Sequence, residues 1–323
     1  MTNQPASTIN PVLLSKVLQQ EHRPTEQQAD IIGADPGPML VVAGAGAGKT
    51  ETMAARVVWL VANGYARPEE VLGLTFTRKA AQELNQRIRT RLATLAQSPK
   101  LRDIDPTGEI ARTLENIVPH VTTYDAYAGE LIREYGLLVP TEPSTNQLTK
   151  AQMHALVHEV VTDYTGELSS ATKVDDTVEK VITLLGEIDS NLMHMDEVFE
   201  QADIFEKNMY DVPVAGKKPE DYFAQTVQKW LDTNTVRKEL LPVAAEVKRR
   251  LRRDNATTFA EQMSLAARMA KEHTTVGASQ RSRYRVVMLD EYQDTSHPQR
   301  ILLRSLFGGG MGQEDPERRL TVT

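Results

Sequence analysis

Along the chain, short unbroken apolar runs alternate with longer stretches whose apolar residues recur on a helical period. The runs at residues 39–42, 71–76, 117–123 and 284–289 are rich in branched side chains and are bounded by turn residues. Runs of this kind predict strands buried on both faces. Between them, residues 11–20 predict a short helix, and Thr25 is placed to cap a helix from Glu26 that Gly33 and Pro36 end. Residues 51–63 place Met53, Val57, Leu60 and Val61 on one face before Gly64. Residues 78–95 predict a long helix, and Tyr124 opens another. Strand and helix alternating at this spacing predict an α/β fold on a parallel sheet.

The pattern changes from residue 136 to about 255. Strand signals vanish, and amphipathic helices are expected over 147–163, 175–188 and 226–253, punctuated by Pro140, Pro143, Pro213, Pro219 and Pro242. An all-helical insert therefore divides the chain into 1–123, 124–255 and 256–323. After it come a helix over 257–271, a polar loop over 277–283, the strand at 284–289 and a helix over 299–306. The Gly308-Gly309-Gly310 loop leads to a last strand from Leu320.

Composition narrows this picture. The 323 residues suffice for about two domains at roughly 150 residues each. The absence of cysteine excludes disulfides, thiolate metal sites and cysteine nucleophiles. The first ten residues carry no secretory pattern, and no apolar run approaches membrane-spanning length, so a soluble, cytoplasmic protein without a membrane partner is expected. A net charge of −7 argues mildly against nucleic acid. The basic residues are unevenly spread, however. Arg87, Arg89, Arg91, Lys100 and Arg102 fall close together, and Lys248-Arg249-Arg250-Leu251-Arg252-Arg253 is the densest positive run. That run is either a solvated helix face or a phosphate contact.

The first candidate chemistry follows the first strand, in Ala43-Gly44-Ala45-Gly46-Ala47-Gly48-Lys49-Thr50. A small-residue turn between strand and helix lets successive N–H groups curl around a phosphate, with the helix dipole pointing at the same anion. Ala45, Gly46, Ala47 and Gly48 would form the cradle, Lys49 would supply a mobile charge, and the Thr50 hydroxyl would ligate Mg²⁺. The usual pattern has glycine where this chain has Ala43. Gln28, on the helix before that strand, could read an adenine edge or be an ordinary polar surface residue.

In parallel sheets ligands bind beyond the carboxyl ends of the strands. Thr75-Phe76-Thr77-Arg78-Lys79 lies at that edge, with a stacking ring and cations where a helix begins, a place that cations avoid unless an anion is near. Tyr124 and Tyr127 follow the third strand and could be stacking platforms or plain core. The fourth strand ends in Asp290-Glu291-Tyr292-Gln293-Asp294-Thr295. Acids at the tip of a buried strand are costly without a bound cation. Asp290 would hold Mg²⁺ and Glu291 would orient and deprotonate a water. His154 and His158 stand four apart, but the zinc-protease pattern needs Glu where Ala155 stands.

With these pieces assembled, the chain resembles the UvrD/Rep/PcrA group of superfamily 1 DNA helicases. Residues 43–50 are similar to its phosphate-loop motif, in which Ala at the first position is usual. Thr75-Phe76-Thr77-Arg78-Lys79-Ala80-Ala81 is similar to its strand-contacting motif, and residues 290–295 to its acidic motif. Pro24 to Gln28 resembles its upstream glutamine motif. The wording of 36–92 and 284–307 looks most like AdnB-like helicase–nuclease subunits of actinobacteria.

The resemblance implies a P-loop, RecA-like domain carrying an accessory helical subdomain. It implies ATP and Mg²⁺ as cofactors, single-stranded DNA or DNA ends as partner, 3′-to-5′ stepping in repair or recombination, and possible pairing with a helicase–nuclease subunit. Gln28 would read adenine. Lys49, Thr50, Asp290 and Glu291 would bind and activate MgATP, and Gln293 would sense the γ-phosphate. Thr75, Phe76, Thr77, Arg78, Tyr124 and Tyr127 would line the strand's path. Three departures stand out. Glu51 occupies a position where Arg often contacts the base, Thr123-Tyr124-Asp125 replaces Thr-Phe-His, and the chain stops where Gly-Asp-x-x-Gln is due. The expectation is therefore a first motor half lacking the second motor domain and its arginine fingers, binding nucleotide weakly, hydrolysing it barely and not unwinding. A small-molecule kinase with the helical insert as lid is the alternative, and a non-catalytic ATP-gated scaffold a third.

Overall fold

The computed structural model describes residues 9–99, 108, 119–139, 146–168, 173–211, 225–308 and 319–322. In chain order these form α1 (Pro11–Val17), α2 (Glu26–Gly33), β1 (Met39–Leu40), α3 (Lys49–Ala62), β2 (Val71–Thr75), α4 (Arg78–Ala96), β3 (His120–Thr123) and α5 (Tyr124–Tyr135). Next come β4 (Asn146–Gln147), α6 (Lys150–Asp163), α7 (Val174–Ser190), α8 (Met195–Asp211), α9 (Gln225–Arg253), β5 (Ala256–Thr257) and α10 (Phe259–Glu272). Then follow α11 (Thr274–Arg283), β6 (Val286–Leu289), α12 (His297–Phe307) and β7 (Arg319–Val322). The chain separates into two compact units. One comprises Met1–Ala128, Ala270–Thr295 and Gln299–Thr323, the other Gly129–Met269 and Ser296–Pro298.

The first unit is built on a five-stranded parallel sheet in the order β1-β7-β6-β2-β3. Its register aligns the strand ends. Leu40 pairs with Val322, Val322 with Leu289, Leu289 with Leu74, and Thr75 with Thr123. Whatever follows each strand therefore emerges at one level on one edge. From α3, Met53, Val57, Val58 and Leu60 share a core with Leu84, Ile88, Leu92 and Leu95 of α4 and with Val286 and Met288 of β6. Each such side chain contributes about 1.5–3 kcal/mol. This packing fixes the axis of α3, and hence the direction in which its first turn points.

The second unit packs Val157 and Val160 of α6, Val178, Val181 and Leu185 of α7, and Val243, Ala244, Val247 and Leu251 of α9 into a separate core. It is not all-helical. β4 and β5 form a short parallel pair, with the Asn146 N–H donating to the Asn255 carbonyl at 2.7 Å and the Leu148 N–H to the Thr257 carbonyl at 2.9 Å. Nor does Pro242 break a helix, because α9 runs through it.

Three further differences from expectation are local. Residues 274–283 are helical, since Val276, Gly277 and Gln280 form a buried stripe that a polar composition conceals. The helix α8 adds to those expected in the second unit. The short helix α1 stops at Val17. Lys100, Arg102, Pro140, Pro143, Pro213, Pro219, Gly309 and Gly310 lie outside the described residues. Among the described residues, no helix is long and apolar enough to cross a membrane.

Candidate functional site

Two glycines shape the turn between β1 and α3. Gly46 and Gly48 sit at φ 77° and 81°, the left-handed region where a Cβ is strained. Gly48 is the N-cap of α3 and no side chain caps that helix. Its first-turn N–H groups are thus left to an external acceptor. Lys49 Nζ reaches back to the carbonyls of Ala43 and Gly44 at 3.4 and 3.5 Å, contacts long enough to be given up readily. Gln28 completes a capping box with Thr25 through its Oε1, while its Nε2 donates to the Ala47 carbonyl at 3.2 Å. Both ends of the Gln28 amide are thereby engaged, one at the cap of α2 and the other on the turn.

A buried cation steadies the approach to this turn. Arg56, on α3, is 1% exposed and donates to the carbonyls of Ile32 at 2.9 Å, Ala34, and Asp35 at 3.2 Å, closing the end of α2. Burial pulls its guanidinium down to about 10, against the opposing pull of Asp35. Its sequence signal is a single charge within the otherwise uncharged stretch 52–62. Glu51, one turn into α3, pairs with Arg91 and with Arg87 at 3.5 Å on α4. Burial also lowers the Arg91 guanidinium.

The second part of the site is the tip of β6. Asp290 is 7% exposed; its N–H donates to the Leu74 carbonyl at 2.9 Å, and its own carbonyl accepts from the Tyr124 hydroxyl at 3.2 Å. Glu291 follows at φ 51°, ψ 39°, a left-handed conformation for a non-glycine residue. Gln293 Nε2 donates to Glu291 Oε2 at 2.5 Å and to Asp294 Oδ2 at 3.3 Å. Burial holds the Asp290 carboxyl above its ordinary range and Glu291 adds to this, while a backbone hydrogen bond from Glu291 and the charge of Lys49 oppose it.

That electrostatic reach between Lys49 and Asp290 agrees with the sheet. Only β7 separates β1 from β6, so their ends lie about 10 Å apart at the same level. The donor set fits a magnesium nucleotide: open N–H groups and Lys49 for phosphate, Thr50 and Asp290 for the metal. Among the described residues, no group of three or more His, Asp or Glu could hold a metal by itself. His154 instead lies 3.6 Å from Glu179.

The third part is the end of β2. Phe76, Thr77 and Arg78 are exposed. Thr77 also caps α4, its Oγ1 accepting the Ala80 N–H at 3.1 Å. The other three residues expected at a nucleic-acid surface are interior. Thr75 is 0% exposed and donates to the Thr77 carbonyl, and Tyr127 is 2% exposed and donates to Gln280 Oε1 at 2.8 Å. Tyr124, 3% exposed, packs its ring 4.9 Å from that of Phe76. These two tyrosines are core residues, the plainer of the alternatives the sequence left open. The contact between Tyr124 and Asp290 spans 166 positions, so no local pattern announces it.

The basic run at 248–253 is largely neutralised within the second unit. Lys248 lies between Asp189 at 2.7 Å and Glu261 at 2.9 Å, and Arg250 joins Glu159, Asp163 and Glu246. Arg249 pairs with Glu246 and Arg253 with Asp254. The run holds α9 to its neighbours.

Comparison with known proteins gives the family. The model of the UvrD/REP helicase N-terminal domain matches residues 24–312. The ATP-dependent DNA helicase UvrD1 of Mycobacterium leprae (strain TN) is 26% identical over 288 residues, 88% of this chain and 30% of that protein. The ATP-dependent DNA helicase PcrA of Leuconostoc citreum is 24% identical over 280 residues, 87% of this chain and 30% of that one. DNA helicase IV of Escherichia coli (strain K12) is 43% identical over 89 residues, 28% of this chain and 11% of its own length. The chain thus spans about a third of the first relatives it matches.

Proposed function

Since this chain belongs to the UvrD/REP helicase N-terminal domain family, we propose that it is the nucleotide-binding part of an ATP-dependent DNA helicase. It takes MgATP between the turn at Gly48–Thr50 and the acids at Asp290–Glu291, and single-stranded DNA along Phe76, Thr77 and Arg78. The observation that carries this reading is convergence. The phosphate turn, the acidic tip and the exposed Phe76 leave one edge of one parallel sheet at one level.

Each residue then has a physical task. The uncapped first turn of α3 and Lys49 neutralise the phosphates, and Gln28 holds the turn in shape. Bound magnesium triphosphate would supply the electrophilic phosphorus and the bridging cation. Thr50 and Asp290 would be its ligands from the protein. Glu291 would accept the proton of a water whose oxygen bonds to the γ-phosphorus as the bond from that phosphorus to ADP breaks, and Gln293, already bonded to Glu291, would report the outer phosphate to it. Stepping 3′-to-5′, a role in repair or recombination, and the second unit as accessory subdomain belong to the same reading.

Titration of labelled oligothymidylate tests it. The reading expects binding that weakens steeply with salt, together with Mg²⁺-dependent binding of a fluorescent ATP analogue. A small-molecule kinase would bind the nucleotide and ignore the oligonucleotide. Binding of neither would refute the reading.

A further inference from the structure

The backbone of Asp290 is held on both sides, and both holders belong to the surroundings of Phe76. On one side the Asp290 N–H, in the preceding peptide plane, donates at 2.9 Å to the carbonyl of Leu74, two residues before Phe76, which follows the end of β2. On the other side the Asp290 carbonyl accepts at 3.2 Å from the hydroxyl of Tyr124, whose ring lies 4.9 Å from Phe76 at an interplanar angle of 52°. Immediately afterwards the backbone turns left-handed at Glu291. A non-glycine residue there is retained only while its surroundings impose it. Rotation of the 290–291 peptide plane would swing the Glu291 carboxylate and release its bond from Gln293 Nε2. The Tyr124 hydroxyl restrains that rotation.

Exposure differs sharply along this chain of contacts. Phe76 is 36% exposed, whereas Tyr124 is 3% and Asp290 is 7% exposed. A flat apolar ligand can therefore reach only the first member. We propose that Tyr124 is a positioning residue through which a base stacked on Phe76 sets the placement of Asp290 and Glu291. A base that seats Phe76 more firmly against Tyr124 steadies the hydroxyl on the Asp290 carbonyl, and a steadier carbonyl fixes the acids that face the nucleotide. By thermodynamic reciprocity, the nucleotide then favours the same seating of Phe76.

The inference rests on the nucleotide-and-strand reading above, and the experiment separates the two. The full chain, Tyr124→Phe, Phe76→Leu and the double variant are titrated with a fluorescent ATP analogue and Mg²⁺, without and with saturating oligothymidylate. In the unaltered chain the oligonucleotide changes nucleotide affinity by at least about fivefold. Tyr124→Phe, which removes one oxygen and keeps the ring, brings that ratio to within about twofold of unity. The double variant loses no more of the ratio than Tyr124→Phe does, because the two residues act in series. A purely structural role for the hydroxyl would change melting temperature or both affinities and leave the ratio intact. An intact ratio in Tyr124→Phe therefore overturns the proposal, as does a ratio of one in the unaltered chain when both ligands bind. If Tyr124→Phe fails to fold, Phe76→Leu decides, with a retained ratio overturning the proposal and a lost one supporting it. Failure of the unaltered chain to bind either ligand removes the underlying reading, and the inference with it.

Discussion

Gln28 donates from Nε2 to the carbonyl of Ala47 across 3.2 Å, while its Oε1 accepts the Thr25 N–H at 3.1 Å. One amide thus ties the start of α2 to the phosphate turn. Gln28→Glu keeps the acceptor that the capping box requires but replaces the donor facing Ala47 with negative charge. Nucleotide affinity is expected to fall about tenfold, roughly 1.4 kcal/mol, with little change in melting temperature. Fluorescent-nucleotide titration alongside a thermal melt checks this; a parallel loss of stability would contradict it.

Arg56 makes a different prediction, one about folding. Its guanidinium satisfies three carbonyls at the end of α2, and at 1% exposure water cannot replace it. Arg56→Met should destabilise the first unit by about 3 kcal/mol, chiefly through the carbonyls left without donors. The midpoint of urea unfolding should drop with an unchanged slope. Stability within about 1 kcal/mol of the unaltered chain would mean that the buried guanidinium is not needed.

Asp290 is held above the ordinary carboxylate range by burial and by Glu291. An acid raised in the folded state favours folding below its unfolded value, and that contribution is lost as pH rises through the folded value. At neutral pH the ionised group is therefore a liability of the ligand-free protein. Asp290→Asn should raise stability there by on the order of 1 kcal/mol while abolishing the effect of Mg²⁺ on nucleotide binding. In the unaltered chain, magnesium-nucleotide affinity should climb with pH through the raised value and then level off. Urea melts and titrations across a pH series report both. Destabilisation by Asp290→Asn at neutral pH would contradict the assignment.

The cations fall into two classes with opposite signatures. Arg250 is bound to Glu159, Asp163 and Glu246, so Arg250→Ala should lower the unfolding midpoint of the second unit and leave the salt dependence of oligonucleotide binding unchanged. Arg78, exposed at the start of α4, should do the reverse. Arg78→Ala is expected to reduce the slope of log affinity against log salt by about 1 with no loss of stability. A shallower slope in Arg250→Ala would return the basic run to the nucleic-acid surface.

Much of this site was legible because its parts are local in sequence. The branched run before Gly44 implied a strand, and Thr25 implied a helix cap, because each depends on residues a few positions apart. Acids at 290 and 291 after an apolar run implied a strand tip in need of a cation. Contacts between distant residues left no such trace. Tyr124 carries the same ring whether it faces a base or the core, and only its bond to the Asp290 carbonyl decides. The positive run at 248–253 reads as a charged face until Asp189, Glu261, Glu159 and Asp163 arrive from other elements to pair with it. Helix α11 was hidden for the converse reason, since its buried stripe includes Gly277 and Gln280, which no apolar periodicity marks.

The central claim is that the start of α3 and the tip of β6 hold one metal ion between them. A double-mutant cycle on Thr50→Ala and Asp290→Asn, read as the gain in ATP-analogue affinity on adding Mg²⁺, tests it most directly. A gain of at least about tenfold is expected in the unaltered chain, lost in either single variant and not reduced further in the double. A gain that survives Asp290→Asn, or losses that add independently, would show that the two ends do not share a metal ion.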